Sequence, residues 1–346
     1  MTVSRPLSVK PLCVIASIAL YFTTVTSITV GPMNISFTDS IQSLLPVSNV
    51  DIPGHVSMIV QQVRLPRTLL AIAVGGILAI SGAVMQGLFR NPLADPGIIG
   101  VSSGAALGAA IAIVLFGELA ASYPTLLLFG TVPMFACFGG AFITFAVYRL
   151  GTGSNGTSVT MMLLAGVAIS ALAGAALGLL NYFADDQALR DLSLWTMGSL
   201  AGANPRGLWL AFGTLLILFI FYYRDADKIN AMLLGESEAR HIGINVQKLK
   251  RRLIVLAAIG VGVTVALAGM IGFIGLIVPH VCRMLIGPNY KALLPVTMLL
   301  GALLLLFADM LARTVVAPLD MPVGIVTALI GAPFFVWLLI KQKGRI

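Results

Sequence analysis

The chain has 346 residues, of which 58% are hydrophobic and only 10% charged, with a net charge of +8. Apolar runs of about 17 to 26 residues recur along it, the length that a hydrocarbon core of ~30 Å demands of a helix, so a soluble reading is excluded. Backbone groups in lipid must pair internally, and these runs are continuous rather than alternating, which selects helices over a closed barrel.

The first run, 11 to 30, follows Arg5 and Lys10. It is long for the core of a signal peptide and no small-x-small cleavage site follows, so it is read as a first span. An outer segment, 32 to 61, separates it from runs at 68 to 89, 97 to 117, 124 to 148 and 158 to 183. Gly100, Gly104 and Gly108 line one face of the third span, and Gly174 and Gly178 one face of the fifth; such ridges let helix backbones approach closely in lipid. A second outer segment, 184 to 206, leads to a run at 207 to 223.

Residues 224 to 252 hold eleven of the 34 charged side chains. Within them, 228 to 246 is amphipathic and interrupted by Gly235 and Gly243, which predicts short helices; Met232, Leu233, Leu234 and Ile242 there need a partner or the membrane surface to bury them. The next run, 253 to 287, is too long for one span and carries Gly269, Gly272, Gly275 and Pro279. Glycine and proline together predict a break into one full span and one shorter one. Runs at 292 to 311 and 321 to 340 complete ten helices.

Ten spans with the N-terminus inside place 16 Lys and Arg residues on the cytoplasmic side and five outside, as the positive-inside rule requires; nine would export the basic tail. The positive charge therefore speaks for membrane orientation and not for nucleic acid. Cys13, Cys137 and Cys282 all lie in apolar runs and suggest neither disulfides nor a zinc site. No G-x-x-x-x-G-K-[ST] phosphate loop, Ser-His-Asp order or HExxH occurs, so no catalytic or metal site is expected and any ATPase is a separate chain.

Several ordered blocks carry a resemblance. Leu234-Gly235-Glu236-x-x-Ala239-x-x-x-Gly243-x-x-Val246 is similar to the ATPase-coupling loop of permease subunits of the bacterial ABC importers for ferric siderophores, haem and cobalamin, the FecCD type of type II importer. Arg64-Leu-Pro-Arg67, Ser81 to Gln86, Arg90-Asn-Pro-Leu-Ala-Asp-Pro96, Phe273 to Arg283, Asp309-x-x-Ala-Arg313 and Met321 to Phe335 resemble the same family, so the likeness spans roughly 60 to 340. Asp185-Asp-Gln-x-Leu-Arg190, running on to Trp195, Met197 and Gly198-Ser-Leu200, looks closest to haem permeases.

The resemblance implies an all-helical inner-membrane permease with both termini cytoplasmic, forming one domain over 1 to 346. It also implies a homodimer, two ATPase subunits that hold ATP and magnesium, and a periplasmic haem-binding protein. Leu234, Gly235, Glu236, Ala239 and Gly243 would couple to the ATPase. Arg64, Arg67 and Arg313 match the family's arginine-bearing outer motifs and would form the patch that meets binding-protein carboxylates, a task suited to the planar fork of arginine. Anchoring of span ends by the same arginines is the competing reading. Arg190 is either a fourth member or a surface charge. Asp309, four residues before Arg313, is read as its same-face ion partner. Met85, Gln86, Trp195 and Met197 are candidates for a substrate path or gate. His280 is read as a packing residue, and His55 and His241 as solvated loop residues. Ferric siderophore or cobalamin remains open as substrate, and an ion-gradient carrier remains open as mechanism.

Overall fold

A computed structural model describes residues 8–44, 52–122, 130–154 and 156–343. Arg5 and Arg345, counted above with the cytoplasmic charges, and the first residues of the run at 124 to 148 lie outside them. The described chain is helical: α1 (Val9–Thr29), α2 (Phe37–Gln42), α3 (Gly54–Met58), α4 (Leu65–Leu88), α5 (Val101–Ser122), α6 (Thr131–Leu150), α7 (Val159–Phe183), α8 (Asp186–Thr196), α9 (Pro205–Leu234), α10 (Glu236–His241), α11 (Val246–Ala268), α12 (Ile274–Ile286), α13 (Tyr290–Thr314) and α14 (Val323–Lys343). A π-helical stretch, Ile59–Arg64, fuses α3 to α4. One small antiparallel hairpin, β1 (Thr152–Gly153) and β2 (Gly156–Thr157), joins α6 to α7.

The ten predicted spans correspond to α1, α4, α5, α6, α7, α9, α11, α12, α13 and α14. Seven described helices are long and apolar enough to cross a membrane alone, and three shorter apolar ones, Val101–Gly117, Ile274–Ile286 and Val323–Leu338, complete the set. The break in the seventh run falls at 269–273, where Gly269 (φ 67°) and Phe273 (φ 69°) are left-handed. Pro279 plays no part in it and lies inside α12. The prolyl nitrogen cannot donate to Gly275 O, and Gln86 Nε2 of α4 donates there instead at 3.3 Å, and to Leu276 O at 3.1 Å.

Two helices outrun their apolar stretches. α9 continues eleven residues past the end of its apolar run at 223, and α11 begins seven before the run at 253. Asparagine side chains start three of the spans: Asn204, Asn245 and Asn289 accept from the backbone N–H of Gly207 (2.8 Å), Lys248 (3.0 Å) and Lys291 (3.0 Å). Asp185 does the same for α8 through Ala188 N at 2.7 Å, which gives the Asp-Asp-Gln start a structural use.

The central element is α4, almost wholly buried against α9, α11, α12 and α13. Its contact with α13 is backbone to backbone: a Cβ on Gly75 would fall on the carbonyl of Gly301, and one on Gly301 would fall on Gly75 O and Ala79. The Gly104 and Gly108 ridge of α5 meets α6 in the same way, at Gly139 and at the carbonyl of Phe135. Gly174 and Gly178 differ from expectation, since little of α7 is buried within one chain and nothing lies within 4 Å of either position. Among the described residues α7 packs mainly on α5, α6 and the 3-10 turn Pro96–Ile99 before α5.

Candidate functional site

Three groups of residues matter: an ion cluster and a cavity at the end of the bundle bearing α8, and a loop at the opposite end bearing α10. The structure does bring Arg64, Arg67 and Arg313 together, but as a buried cluster, only 3%, 4% and 2% exposed. Each guanidinium is committed to partners inside the chain. Arg67 Nε donates to Asp309 Oδ1 at 2.9 Å and its Nη1 to Asp320 Oδ2 at 2.8 Å. Arg313 Nη2 donates to Ser27 Oγ at 2.6 Å and Nη1 to Val30 O at 3.3 Å.

The i,i+4 pair of Asp309 and Arg313 is present at 3.2 Å, although the N–H is not aimed at the oxygen, so Asp309 Oδ2 and Arg313 Nε form no hydrogen bond. Arg64 closes the end of α1, donating to Ile28 O (3.2 Å), Thr29 O (2.5 Å) and Met33 O (2.5 Å). The last carbonyls of a helix lack intrahelical donors and carry partial negative charge, so a guanidinium there satisfies both needs. Asp320, which no sequence pattern singled out, is the half-exposed member of the cluster at 47%. Arg190 is an exposed residue of α8.

Of the path candidates, Met85 and Gln86 are buried in α4 and reach no open surface. Gln86 is occupied in completing α12 and in accepting from Arg283, which also donates to Tyr290 Oη at 3.1 Å. Trp195 lines a cavity of about 1070 Å³ between α6, α8, α9 and α11, with Met134, Phe138, Asp191, Asn204 and Leu267. Met197, 42% exposed, stands beside it at the end of α8.

At the α10 end, Gly235 (φ 143°) and Gly243 (φ 86°) bound the short helix, as their positions predicted. Ala239 of this helix is fully buried, while Leu234 and Ile242 are 76% and 67% exposed, two apolar side chains facing away from the bundle. Met232 is buried and Leu233 packs against the core. Glu236 pairs with Lys250 of α11 at 2.5 Å and lies 3.7 Å from Arg240. Lys250 and its hydrogen-bond acceptor, Thr157 O at 2.9 Å, were missed from sequence. The signal was there: position 250 lies four residues after buried Val246 and three before buried Leu253, on the face of α11 that points inward.

Ten apolar helices among the described residues, one of them buried at the centre of the others, with charge gathered at the two ends, define a multi-pass helical membrane protein. The chain belongs to the FecCD transport family, whose sequence profile matches residues 19–341. It is 46% identical over 317 residues to the hemin transport system permease protein HmuU of Yersinia pestis, covering 92% of this chain and 91% of that one. It is 42% identical over 295 residues to the cobalamin import system permease protein BtuC of Halobacterium salinarum, covering 85% and 76%. Among solved structures, an inward-facing conformation of a metal-chelate type ABC transporter superposes with a TM-score of 0.81 at 34% identity, covering 96% of this chain and all of the other.

Proposed function

We propose that this chain is the permease subunit of an ATP-driven importer that moves haem from a periplasmic binding protein across the inner membrane into the cytoplasm. The observation that carries the substrate is the 46% identity to the hemin permease over nearly the whole of both chains. In this reading the α10 end and both termini are cytoplasmic and the α8 end is periplasmic. ATP and magnesium sit on two separate ATPase subunits, which the apolar Leu234 and Ile242 would meet. A second copy would pair along the open face of α7, where Gly174 and Gly178 leave room for close approach. The likeness to cobalamin permeases, at 42% identity, supports a second substrate reading, cobalamin or a ferric siderophore in the same machine.

The test is uptake into proteoliposomes holding the permease and its ATPase, with binding protein outside. ATP-dependent haem uptake that neither cobalamin nor a ferric siderophore competes away is the expected outcome. Uptake of a competitor instead discards haem, and uptake without ATP discards the importer.

The buried arginines keep a part in docking through exchange. Asp320 holds Arg67 from a half-exposed position, and a carboxylate from the binding protein would take its place. Asp320→Ala removes the competitor, so binding-protein affinity should rise, by up to about fivefold if the pair is worth ~1 kcal/mol as exposed pairs can be. A titration showing unchanged or weaker binding would rule out exchange at Arg67.

A further inference from the structure

Lys250 is a lysine that gives up water. It is 2% exposed, on the inward face of α11, and its ammonium holds two elements that are otherwise separate: Glu236, the first residue of α10, at 2.5 Å, and the carbonyl of Thr157, the last residue of the α6–α7 hairpin, at 2.9 Å. The same hairpin residue is held a second time, because Thr157 N donates to Gln247 Oε1 at 2.9 Å. A Cβ at the neighbouring Gly156 would fall on the Gln247 side chain, so hairpin and helix are already in contact there. Beyond Thr157 there is no slack: Ser158 is the N-cap of α7, its Oγ accepting from Met161 N at 3.4 Å and its own N–H donating to Gly151 O at 2.9 Å.

The consequence is mechanical. α10 is the element offered to the ATPase, and α7, which packs on α5 and α6, is the least buried of the long spans within one chain and carries the face on which a second copy would pair. A buried ion pair adds little net stability over apolar packing, because desolvation offsets the attraction; what it does supply is a defined relative position. We propose that Lys250 is the positioning residue that joins the ATPase-facing helix to α7, so that movement imposed on α10 is delivered through Glu236, Lys250 and Thr157 to the start of α7. The inference rests on the reading of α10 as the ATPase contact. Glu236 also lies near Arg240, but at 3.7 Å and on α10 itself, so that pair reaches no other element.

The experiment uses the complete transporter, permease with ATPase and binding protein, in proteoliposomes, and reads substrate moved per ATP hydrolysed. Lys250→Met keeps the length and the apolar stem but removes the charge, the ion pair with Glu236 and the hydrogen bond to Thr157 O. It should leave ATPase association and hydrolysis within about twofold while lowering the ratio by roughly tenfold, inside the range of coupling between sites. Lys250→Arg, which keeps the charge and a set of N–H donors, should restore most of the ratio. Gln247→Leu, which cuts only the second tie, should lower the ratio in the same direction and serves if Lys250→Met does not assemble. A merely structural bridge predicts less assembled complex with an unchanged ratio, and that result, or a wild-type ratio in Lys250→Met, overturns the proposal. If the ATPase still binds after α10 is deleted, the reading of α10 has failed, which is a different result.

Discussion

Asp309→Leu is expected to cost about 3–5 kcal/mol of stability, the range for removing one partner of a buried ion pair. Asp309 is fully buried and faces Arg67 at 2.9 Å and Arg313 at 3.2 Å, whose side chains are 5% and 3% exposed. Without the carboxylate, two guanidiniums remain inside the bundle; Arg67 keeps Asp320, but Arg313 keeps only Ser27 Oγ and Val30 O, both uncharged. Equilibrium unfolding in detergent and the yield of monodisperse protein measure the loss. Replacing the group together, Asp309→Leu with Arg67→Leu and Arg313→Met, should recover most of the stability, since buried charges can be exchanged for apolar residues at little net cost. A single variant as stable as the parent would show that the cluster is wetter than its burial indicates.

Gly75→Val is expected to be nearly as damaging, by about 3 kcal/mol, the upper end of what overpacking costs. The added branches would meet backbone, the carbonyl of Gly301, and Leu305 Cβ at 2.9 Å, and neither can turn aside as a long side chain could. The internal control is Gly178→Val on α7, where nothing lies within 4 Å, so the isolated chain should fold normally. Thermal unfolding of the two variants side by side decides the matter. Equal midpoints would mean that close approach of α4 and α13 at Gly75 contributes nothing to stability.

The number of spans was legible because the bilayer imposes it: an apolar run of the right length has one use in lipid, and the over-long run at 253 to 287 carried its glycines at the break. Helix ends were not legible from the same signal. Charge stops a transmembrane run without stopping a helix, and α9 continues through Asp225 and Lys228, which pair at 3.0 Å one turn apart. Burial of the arginines was the larger surprise. Asp309 was readable as a partner because it lies four residues from Arg313, whereas Asp320 and the carbonyls at the end of α1 lie far from Arg67 and Arg64 in sequence. The glycines bounding α10 were readable from spacing. The tie from Lys250 to Thr157 crosses 93 residues and needed coordinates.

The amide that Gln86 offers to Gly275 O has a bearing on how such a chain can change. Position 279 holds the residue that leaves that carbonyl without its own turn's donor, and position 86, on another helix, supplies the missing one. The two sites therefore form an epistatic pair. Losing Gln86 first passes through a chain with an orphaned carbonyl in a dry interior, whereas losing Pro279 first returns to the carbonyl a donor from its own helix. Of the two mutational orders that lead away from this pair, only the second avoids a weakened intermediate, so the history of one helix constrains what its neighbour can become.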